Sequence, residues 1–268
     1  MKILILSLLR IGDAILSTPA IEGLKKKYPN ATIDLMLNEQ AQMISALIPN
    51  IEKTHIFPGE LLQGEIGEYS VPIFSPFDKL DTFVREIRSY EYDLIINLTQ
   101  THLSGFLVSL LEAPNYEGMS YDSAGSPTLS SAWFKYLNSY DDLPNKKGFH
   151  YADIYQYGSG LDNTNSISLL RSKRGRKYAD SIVNSKDAVV AIQLLTSDDK
   201  KNIDASVLKG IVARLSSYLD DESKQVKFIV LGAPSERRQV TEFIEHFESG
   251  KIDIEPAKNA SADKTNLE

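Results

Sequence analysis

The first thirty residues constrain the fold of this chain most. Ile3 to Leu6 form a continuous apolar run without polar alternation, which is typical of a parallel strand buried on both faces. The segment Leu9 to Asp13 (LRIGD) ends the run, and apolar residues then recur at near-helical spacing up to three lysines, Lys25 to Lys27, which oppose the helix dipole. The order of strand, glycine turn and helix predicts the opening of an α/β domain.

A turn in this position lies where open α/β sheets bind ligands, because the ligand crevice lies beyond the carboxyl ends of the strands. A second polar turn, Thr99 to His102, follows another buried strand predicted over Asp93 to Leu98. We expect the two turns to lie side by side on one edge of the sheet. Arg10, Gly12, Asp13, Gln100 and His102 are therefore candidates for a binding site.

The strand and helix pattern restarts after a polar, aperiodic segment, Leu161 to Ser168. We therefore predict one domain over residues 1–165 and a second over residues 166–268. Apolar runs predict strands at Ala188 to Leu195 and Lys227 to Leu231, with a short third one at Lys251 to Ile254. Three strands and three helices are few for a doubly wound domain, so the second domain is predicted to be incomplete.

Composition and charge exclude several classes of protein. The net charge of -7 argues against nucleic-acid binding, which needs a basic face. The chain has no cysteine, and its four histidines form no pair at helical ligand spacing, so no metal site is predicted. The first apolar run is too short for a membrane span and lacks the features of a signal peptide, which leaves the cytoplasm as the default location. The P-loop, the serine-hydrolase elbow and the dinucleotide-binding glycine motif are all missing from the sequence.

Four stretches carry a resemblance to a known family. The first, ILILSLLRIGDAILSTPAIEGLKKKYPNATIDLML, contains an R-x-G-D turn, a T-P-A helix and a Y-P ending. The other three are YDLIINLTQTHLSGFLVSLL, TSDDKKNIDASVLKGIVARL and VLGAPSERRQV. In this order they resemble glycosyltransferase family 9, the ADP-heptose:lipopolysaccharide heptosyltransferases. The resemblance implies the GT-B architecture, in which two Rossmann-like α/β domains face a cleft. The first domain would bind the acceptor, and the second, here partial, would bind a nucleotide sugar.

The activity that the resemblance implies is an inverting, metal-independent transfer of heptose or a similar sugar. The donor would be a nucleotide sugar such as ADP-heptose, and the acceptor a lipopolysaccharide-type or other glycan. No cofactor is implied, since the nucleotide sugar is a substrate, and a peripheral contact of this cytoplasmic protein with the inner membrane surface fits the resemblance. In the family, an aromatic residue and a proline follow the donor-site lysine, whereas this chain has Asn202 and Ile203 in those places. The chain also ends before the D-x-G-x-x-H segment with which the family continues. We therefore expect either a truncated chain or the loss of the usual donor site.

Asp13 is the predicted catalytic base, because a carboxylate in hydrogen-bond reach takes the proton of an attacking hydroxyl without a metal. Its structural alternative is a helix N-cap. Arg10 would hold an acceptor phosphate or carboxylate, or else form a surface ion pair. Gly12 would let the backbone approach the ligand, or else serve as a plain turn glycine. Gln100 and His102 complete the predicted acceptor side.

The predicted donor side lies in the second domain. Lys200 would bind the nucleotide diphosphate as a point charge. The hydroxyl groups of Thr196 and Ser197 would donate hydrogen bonds to the same phosphates. Glu236 resembles the family glutamate that contacts the donor nucleoside. A solvated turn around Lys200 and a first-turn helix acid at Glu236 are the structural alternatives.

Two other functions stay open from the sequence. One is a non-catalytic module that keeps the acceptor domain and binds glycan or a partner protein. The other is a different sugar-nucleotide enzyme, such as an epimerase. The early ending of the chain is expected to leave apolar surface of the second domain uncovered and so to promote association.

Overall fold

The computed structural model describes residues 1–59, 75–140, 148–162, 165–183, 188–196, 201–221, 226–245 and 253–256. The chain folds into two compact units, the first ending at Arg171 and the second beginning at Ser172. This division falls shortly after the predicted boundary at residue 165. No helix in the described part of the chain is both long and apolar enough to cross a bilayer.

The first unit is built on a parallel five-stranded sheet in the order β3-β2-β1-β4-β5. Its strands are β1 (Lys2–Ser7), β2 (Thr32–Asn38), β3 (Thr54–Phe57), β4 (Leu94–Asn97) and β5 (Tyr116–Glu117). Alternate residues of β1 enter different hydrophobic clusters, with Ile3 and Ile5 in one and Leu4 and Leu6 in the other. All four are fully buried, which confirms the prediction that β1 is covered on both faces.

The helices of the first unit are α1 (Ile11–Leu16), α2 (Thr18–Lys27), α3 (Ser75–Arg88), α4 (His102–Leu111), α5 (Ala132–Asn138) and α6 (Tyr151–Gly158). A 3₁₀ helix, Gln42–Leu47, lies between β2 and β3. An antiparallel hairpin of β6 (Met119–Tyr121) and β7 (Pro127–Leu129) follows β5.

The single first helix predicted from Asp13 to Lys27 is wrong in detail. The chain breaks at Ser17, between α1 and α2. Pro19 explains the break, since it has no N–H and its ring crowds the carbonyl of the residue four positions earlier. That carbonyl, on Ile15, instead accepts a hydrogen bond from the Thr18 hydroxyl at 2.9 Å.

Two further predicted elements differ from the structure. The sequence favours a helix from an Asn38 cap to Ile48, but the structure has only the short 3₁₀ helix there. Asn38 ends β2, and its Oδ1 accepts from the N–H of Ala41 at 2.8 Å, before that helix begins. The single strand expected over Tyr116 to Met119 is divided at Gly118, whose φ is +102°. Most of the loop predicted between Pro58 and Pro76 lies outside the described residues.

The second unit has a parallel three-stranded sheet in the order β10-β9-β8, made of β8 (Ala188–Gln193), β9 (Val226–Leu231) and β10 (Asp253–Pro256). Its helices are α7 (Lys173–Ile182), α8 (Ala205–Asp221) and α9 (Arg237–Glu245), with a 3₁₀ turn at Pro234–Glu236. Phe228 and Val230 of β9 and Val212 of α8 lie at the centre of its core. Both units are thus α/β with parallel sheets, as predicted.

Candidate active site

The opening turn is shaped by a hydrogen bond within it. Arg10 has an extended backbone and precedes the first residue of α1, while Asp13 lies in the first turn of the helix. Asp13 Oδ2 accepts from the backbone N–H of Arg10 at 3.0 Å. The N-cap alternative for Asp13 is therefore wrong, because Arg10 is the N-cap residue, and Asp13 instead accepts from the N-cap N–H out of the third position of the helix. The carboxylate is half-buried and sits just beyond the carboxyl end of β1, where a ligand would bind.

Tyr155, which the sequence reasoning missed, lies near Asp13. This tyrosine is buried in α6. Its burial, reinforced by the negative charge of Asp13, raises the pKa of the Tyr155 hydroxyl well above its ordinary value. The phenol therefore stays protonated beside the carboxylate. Only the capping pattern His150-Tyr151-Ala152-Asp153 at the start of α6 could have indicated a helix here, and nothing in it indicated that Tyr155 lies near Asp13.

The first and second polar turns lie side by side, which confirms the expectation from the sequence. The N–H of Leu8, just after β1, donates to Thr99 Oγ1 at 2.8 Å. The side-chain amide of Asn38, at the end of β2, donates to the carbonyl of Leu8 at 3.2 Å. Hydrogen bonds thus connect the carboxyl ends of β2, β1 and β4. Arg10 and Gly12 are exposed at this edge.

The second turn is organised by Asn97, a fully buried residue at the end of β4. Its Oδ1 accepts from the N–H of Thr99 at 3.1 Å and of Gln100 at 3.4 Å, and its amide donates to the carbonyl of Met119 at 2.9 Å. Sequence reasoning did not single out Asn97, although a polar residue that ends an apolar run was a usable signal.

Gln100 has features of a binding residue. Its backbone is left-handed, with a φ of 56°, a conformation that costs a non-glycine residue about 1 kcal/mol or more. Its Nε2 donates to the carbonyl of Asn97. Within the described ranges, Gln100 Oε1 is the only buried side-chain nitrogen or oxygen without a hydrogen-bond partner. Because this oxygen is buried, a ligand hydroxyl would reach it only after the side chain had turned outward.

The glycine at position 118 is required by this turn. A Cβ there would lie 2.3 Å from the carbonyl oxygen of Asn97, and the positive φ alone would strain any other residue. The backbone of Gly118 therefore packs directly against the Asn97 turn.

His102, the first residue of α4, is bound to the neighbouring hairpin. Its Nδ1 forms a hydrogen bond with the Tyr121 hydroxyl, and the Tyr121 ring stacks on Phe106 at 3.9 Å between centroids. His102 is exposed. Its role toward an acceptor stays a prediction.

The candidate residues of the second unit also lie after strands. Glu236 Oε2 accepts from the N–H of Ala233 at 2.7 Å, so Glu236 caps the turn after β9. Thr196, just after β8, donates its N–H and its hydroxyl to Asn202 Oδ1 at 2.7 and 3.0 Å. The two turns share one edge of their sheet, because β8 and β9 are parallel neighbours. Ser197 and Lys200 lie outside the described residues.

Metal-ligating side chains do not gather anywhere in the described part of the structure. Among these residues, no group of three His, Asp or Glu side chains is placed to hold an ion.

Comparison with known proteins gives matches by sequence and by fold. No family model matches the chain. Lipopolysaccharide heptosyltransferase 3 of Escherichia coli is 33% identical over 102 residues, and the version of strain K12 is 30% identical over the same length. The match covers 38% of this chain and 27% of each relative. It therefore spans only about a quarter of the length of these curated proteins.

Solved structures match nearly the whole chain. A glycosyltransferase family 9 protein from Veillonella parvula DSM 2008 has a TM-score of 0.70 and 20% identity, over 96% of this chain and 70% of its own. Escherichia coli heptosyltransferase WaaC has a TM-score of 0.64 and 17% identity, over 96% and 77%. Escherichia coli ADP-heptose lipopolysaccharide heptosyltransferase II has a TM-score of 0.61 and 15% identity, over 93% and 70%. These matches confirm the predicted α/β fold of the GT-B type. The predicted resemblance to glycosyltransferase family 9, the heptosyltransferase family, is thus confirmed by sequence over 102 residues and by fold over most of the chain.

Proposed function

We propose that this chain acts as an inverting glycosyltransferase that moves heptose or a similar sugar from a nucleotide sugar to a lipopolysaccharide-type or other glycan acceptor. The observation that carries the proposal is the position of Asp13, fixed by the Arg10 N–H at the carboxyl edge of the first sheet. The likeness to heptosyltransferases supports the choice of sugar. ADP-heptose is the proposed donor, because the structure of WaaC contains ADP-2-deoxy-2-fluoro heptose.

In the proposed mechanism, the first unit binds the acceptor. Asp13 takes the proton of the acceptor hydroxyl as that oxygen attacks the anomeric carbon of the donor from the face opposite the leaving nucleotide. Attack from that face inverts the configuration. The exposed Arg10 guanidinium would hold an acidic group of the acceptor. The Gln100 side chain, whose Oε1 is buried, would turn outward to accept from a hydroxyl of the acceptor. His102 would extend the same acceptor surface.

The second unit is proposed to bind the donor. Lys200, Thr196 and Ser197 follow β8 and would neutralise and orient the leaving diphosphate, whose charge grows as the glycosidic bond breaks. Glu236, after β9, would contact the nucleoside. The nucleotide sugar is itself a substrate, so no separate cofactor enters the proposal, and the reaction would take place in the cytoplasm.

The first experiment replaces the proposed base while keeping its cap. Asp13→Asn leaves an oxygen that still accepts from the Arg10 N–H but removes the basic carboxylate. Asp153 is a matched control, because its Oδ2 accepts from the His150 N–H at 3.2 Å in the same position of α6. We expect Asp13→Asn to lower the rate of transfer from ADP-heptose by about 10²- to 10⁴-fold and Asp153→Asn to leave it nearly unchanged. Transfer is measured by release of ADP. Unchanged transfer in Asp13→Asn would remove Asp13 as the base.

A second experiment tests the donor class. Isothermal titration of the chain with ADP and with ADP-heptose should show binding of both. Titration with UDP provides the control for nucleotide selectivity. Binding of neither adenine nucleotide would contradict the transferase proposal for this chain.

A non-catalytic glycan-binding module is the second candidate. Asp13 and Glu236 both accept hydrogen bonds from backbone N–H groups at the start of helical turns. This use explains both carboxylates without chemistry. Binding of core oligosaccharide without binding of ADP or ADP-heptose would favour this candidate over the transferase.

A further inference from the structure

Six aromatic side chains of the first unit contact one another in a continuous series, which we call the aromatic row. Starting near Asp13, the row consists of Tyr155, Tyr151, Tyr140, Tyr136, Phe149 and Trp133. In this order, the centroids of successive rings are 6.4, 4.9, 5.7, 6.1 and 4.8 Å apart. The row therefore runs without a break from the neighbourhood of the proposed base along α5 and α6.

Most of the aromatic row is open to solvent. Tyr155 is its buried member and lies near Asp13. Phe149 is 41% exposed, and the other four rings are half-buried. The row thus begins beside the proposed base, and its remaining members offer ring surface to a ligand.

The contact between α5 and α6 is filled by a ring outside the aromatic row. Phe134 of α5 is fully buried and lies against Gly158 of α6. Trp133 and Tyr136 are also in α5, but part of their surface stays in water. Aromatic surface that the core leaves exposed is available to bind a ligand.

The composition of the aromatic row favours a sugar as that ligand. Four of its six rings are tyrosines and one is the tryptophan, so most combine an apolar face with a polar edge. A sugar ring matches this arrangement, because it has C–H groups on its face and hydroxyls around its rim. In the part of residues 131–158 that the structure describes, no leucine, isoleucine, valine or methionine is exposed. The surface therefore lacks the aliphatic patch that marks many protein contacts.

Nucleic-acid bases also stack on aromatic rings, but their phosphates need a basic surface. The net charge of this chain is -7, which disfavours that class of ligand.

We propose that the aromatic row binds the sugar rings of the acceptor glycan that follow the sugar carrying the attacking hydroxyl. The identity of this glycan rests on the proposed function, in which that hydroxyl lies at Asp13. The following sugars would stack on the exposed rings from Tyr151 to Trp133. The row would therefore favour acceptors of several sugars over single sugars.

The single tryptophan makes the aromatic row its own reporter, since Trp133 belongs to it. The full chain, without donor, is titrated with lipid-free lipopolysaccharide core oligosaccharide and, separately, with glucose. We expect a saturable change in Trp133 fluorescence with the oligosaccharide at about a tenth of the concentration that glucose needs, because each further stacked ring adds affinity. Equal responses to the two ligands, or no response to the oligosaccharide, would overturn the proposal.

Variants test which rings are responsible. Tyr136→Leu with Phe149→Leu removes two rings but keeps apolar volume, and it should raise the Kd for the oligosaccharide by about tenfold. Phe149→Tyr keeps the ring and should bind nearly as the unchanged chain does. The matched control, Phe77→Leu with Tyr218→Leu, removes one phenylalanine and one tyrosine that are 63% and 65% exposed outside the row. It should leave the Kd unchanged.

Isothermal titration gives each Kd independently of the fluorescence, and circular dichroism verifies that every variant is folded. An unchanged Kd in the double variant, or an equal rise in the control, would overturn the aromatic row and leave the transferase proposal standing. Binding that depends on the row, without release of ADP from ADP-heptose, would support the row and contradict the transfer activity. A shift of Trp133 fluorescence on concentrating the chain without glycan would show that a second copy covers the rings, and would also overturn the proposal.

Discussion

Asp13 accepts a hydrogen bond from the backbone N–H of Arg10, so the carboxylate proposed to take a proton also fixes the start of α1. The two roles are compatible, because a capping carboxylate has lone pairs to spare for a second partner. The nearby Tyr155 hydroxyl stays protonated, which leaves it as a donor rather than a competing base. The position of Asp13 at the carboxyl end of β1 is thus compatible with the proposed role as the base.

A substitution at Gly12 separates the two explanations for this glycine, namely close approach of a ligand and a plain turn. Its backbone is helical, its φ is not positive, and a Cβ there would have no neighbour within 4 Å. The fold itself therefore does not need glycine at this position. Gly12→Ala should stabilise the protein by about 0.5–1 kcal/mol, since glycine costs that much in a helix. If the acceptor occupies the open space next to the Cα of Gly12, the added methyl group should raise KM for the acceptor.

Urea unfolding and steady-state kinetics measure these two effects separately. A loss of stability in Gly12→Ala would contradict the structural argument. Higher stability with unchanged kinetics would leave Gly12 as a plain turn residue.

Asp34 forms a buried polar network in the first unit. Tyr92 donates its hydroxyl to Asp34 Oδ2 at 2.5 Å, the Lys53 N–H donates to Oδ1 at 3.0 Å, and His55 Nε2 contacts the Tyr92 hydroxyl at 2.8 Å. Burial acts to raise the pKa of Asp34, but the His55 imidazole 3.6 Å away and the hydrogen bonds from Tyr92 and Lys53 outweigh it and lower the pKa below its ordinary value of 3.8. The folded state therefore favours the ionised carboxylate.

The network should make the stability depend on pH in acid. Because the pKa of Asp34 is lower in the folded than in the unfolded chain, its contribution is complete above the unfolded value near 3.8 and is lost as the pH falls through the folded value. Tyr92→Phe should cost about 1–3 kcal/mol at pH 7, by leaving a buried acceptor without its donor. It should also flatten the acid dependence of the free energy of unfolding.

Urea unfolding between neutral pH and pH 3 measures both effects. Tyr90→Phe is the control, since the Tyr90 hydroxyl bonds to Lys53 at the surface. An acid dependence that is equally steep in Tyr92→Phe would contradict the role assigned to Asp34.

At the scale of elements, the apolar runs were the reliable signal. Apolar runs marked β1, β4, β8 and β9, which could be predicted nearly to their ends, whereas β5 and β10 have no such run. Effects of single residues on the backbone were harder to predict. Pro19 splits the first helix, Gly118 splits a strand, and the hairpin of β6 and β7 lies in a Ser- and Tyr-rich stretch without alternation.

The packing of α5 on α6 depends on Gly158. A Cβ at this position would lie 2.6 Å from the Cζ atom of Phe134, whose ring is fully buried. Gly158→Ala should therefore cost about 1–3 kcal/mol, because the ring has no free space to move into. The single tryptophan, Trp133, lies in α5 and stacks on Tyr157, so its fluorescence reports unfolding at this contact.

A matched substitution in the second unit serves as control. Gly210 of α8 has nothing within 4 Å of its would-be Cβ, so Gly210→Ala should stabilise that unit by about 0.5–1 kcal/mol. Replacing Phe134 by Leu in the Gly158→Ala background should recover part of the loss. A neutral effect of Gly158→Ala would show that the two helices separate easily.

At the scale of the whole molecule, the order of strands and helices sufficed to predict two α/β units, and the motifs sufficed to predict the family likeness. The partners within the site could not be predicted in the same way. Tyr155 lies near enough to Asp13 for that charge to raise its pKa although the two are far apart in sequence, and the Asn97 amide donates to the carbonyl of Met119, which lies 22 residues later. Such contacts depend on how the elements pack, which periodicity does not describe.

The second unit exposes an apolar stripe on α8. Val207, Ile211 and Tyr218 are 54%, 43% and 65% exposed, and their spacing places them on one face of the helix. The exposed Arg214 lies on the same face between Ile211 and Tyr218, so Val207 and Ile211 form the apolar part that a partner would cover. We expect the chain to self-associate as its concentration rises, with α8 in the contact.

Sedimentation velocity across increasing protein concentrations measures the association. Val207→Ser with Ile211→Ser should shift the chain toward monomer, because the pair removes most of the aliphatic part of the stripe. Leu103→Ser with Leu110→Ser is the control, since these α4 residues are 48% and 45% exposed in the first unit. A chain that stays monomeric at every concentration would contradict the expected association. If the control variant weakens association as much as the α8 variant does, α8 is not the contact.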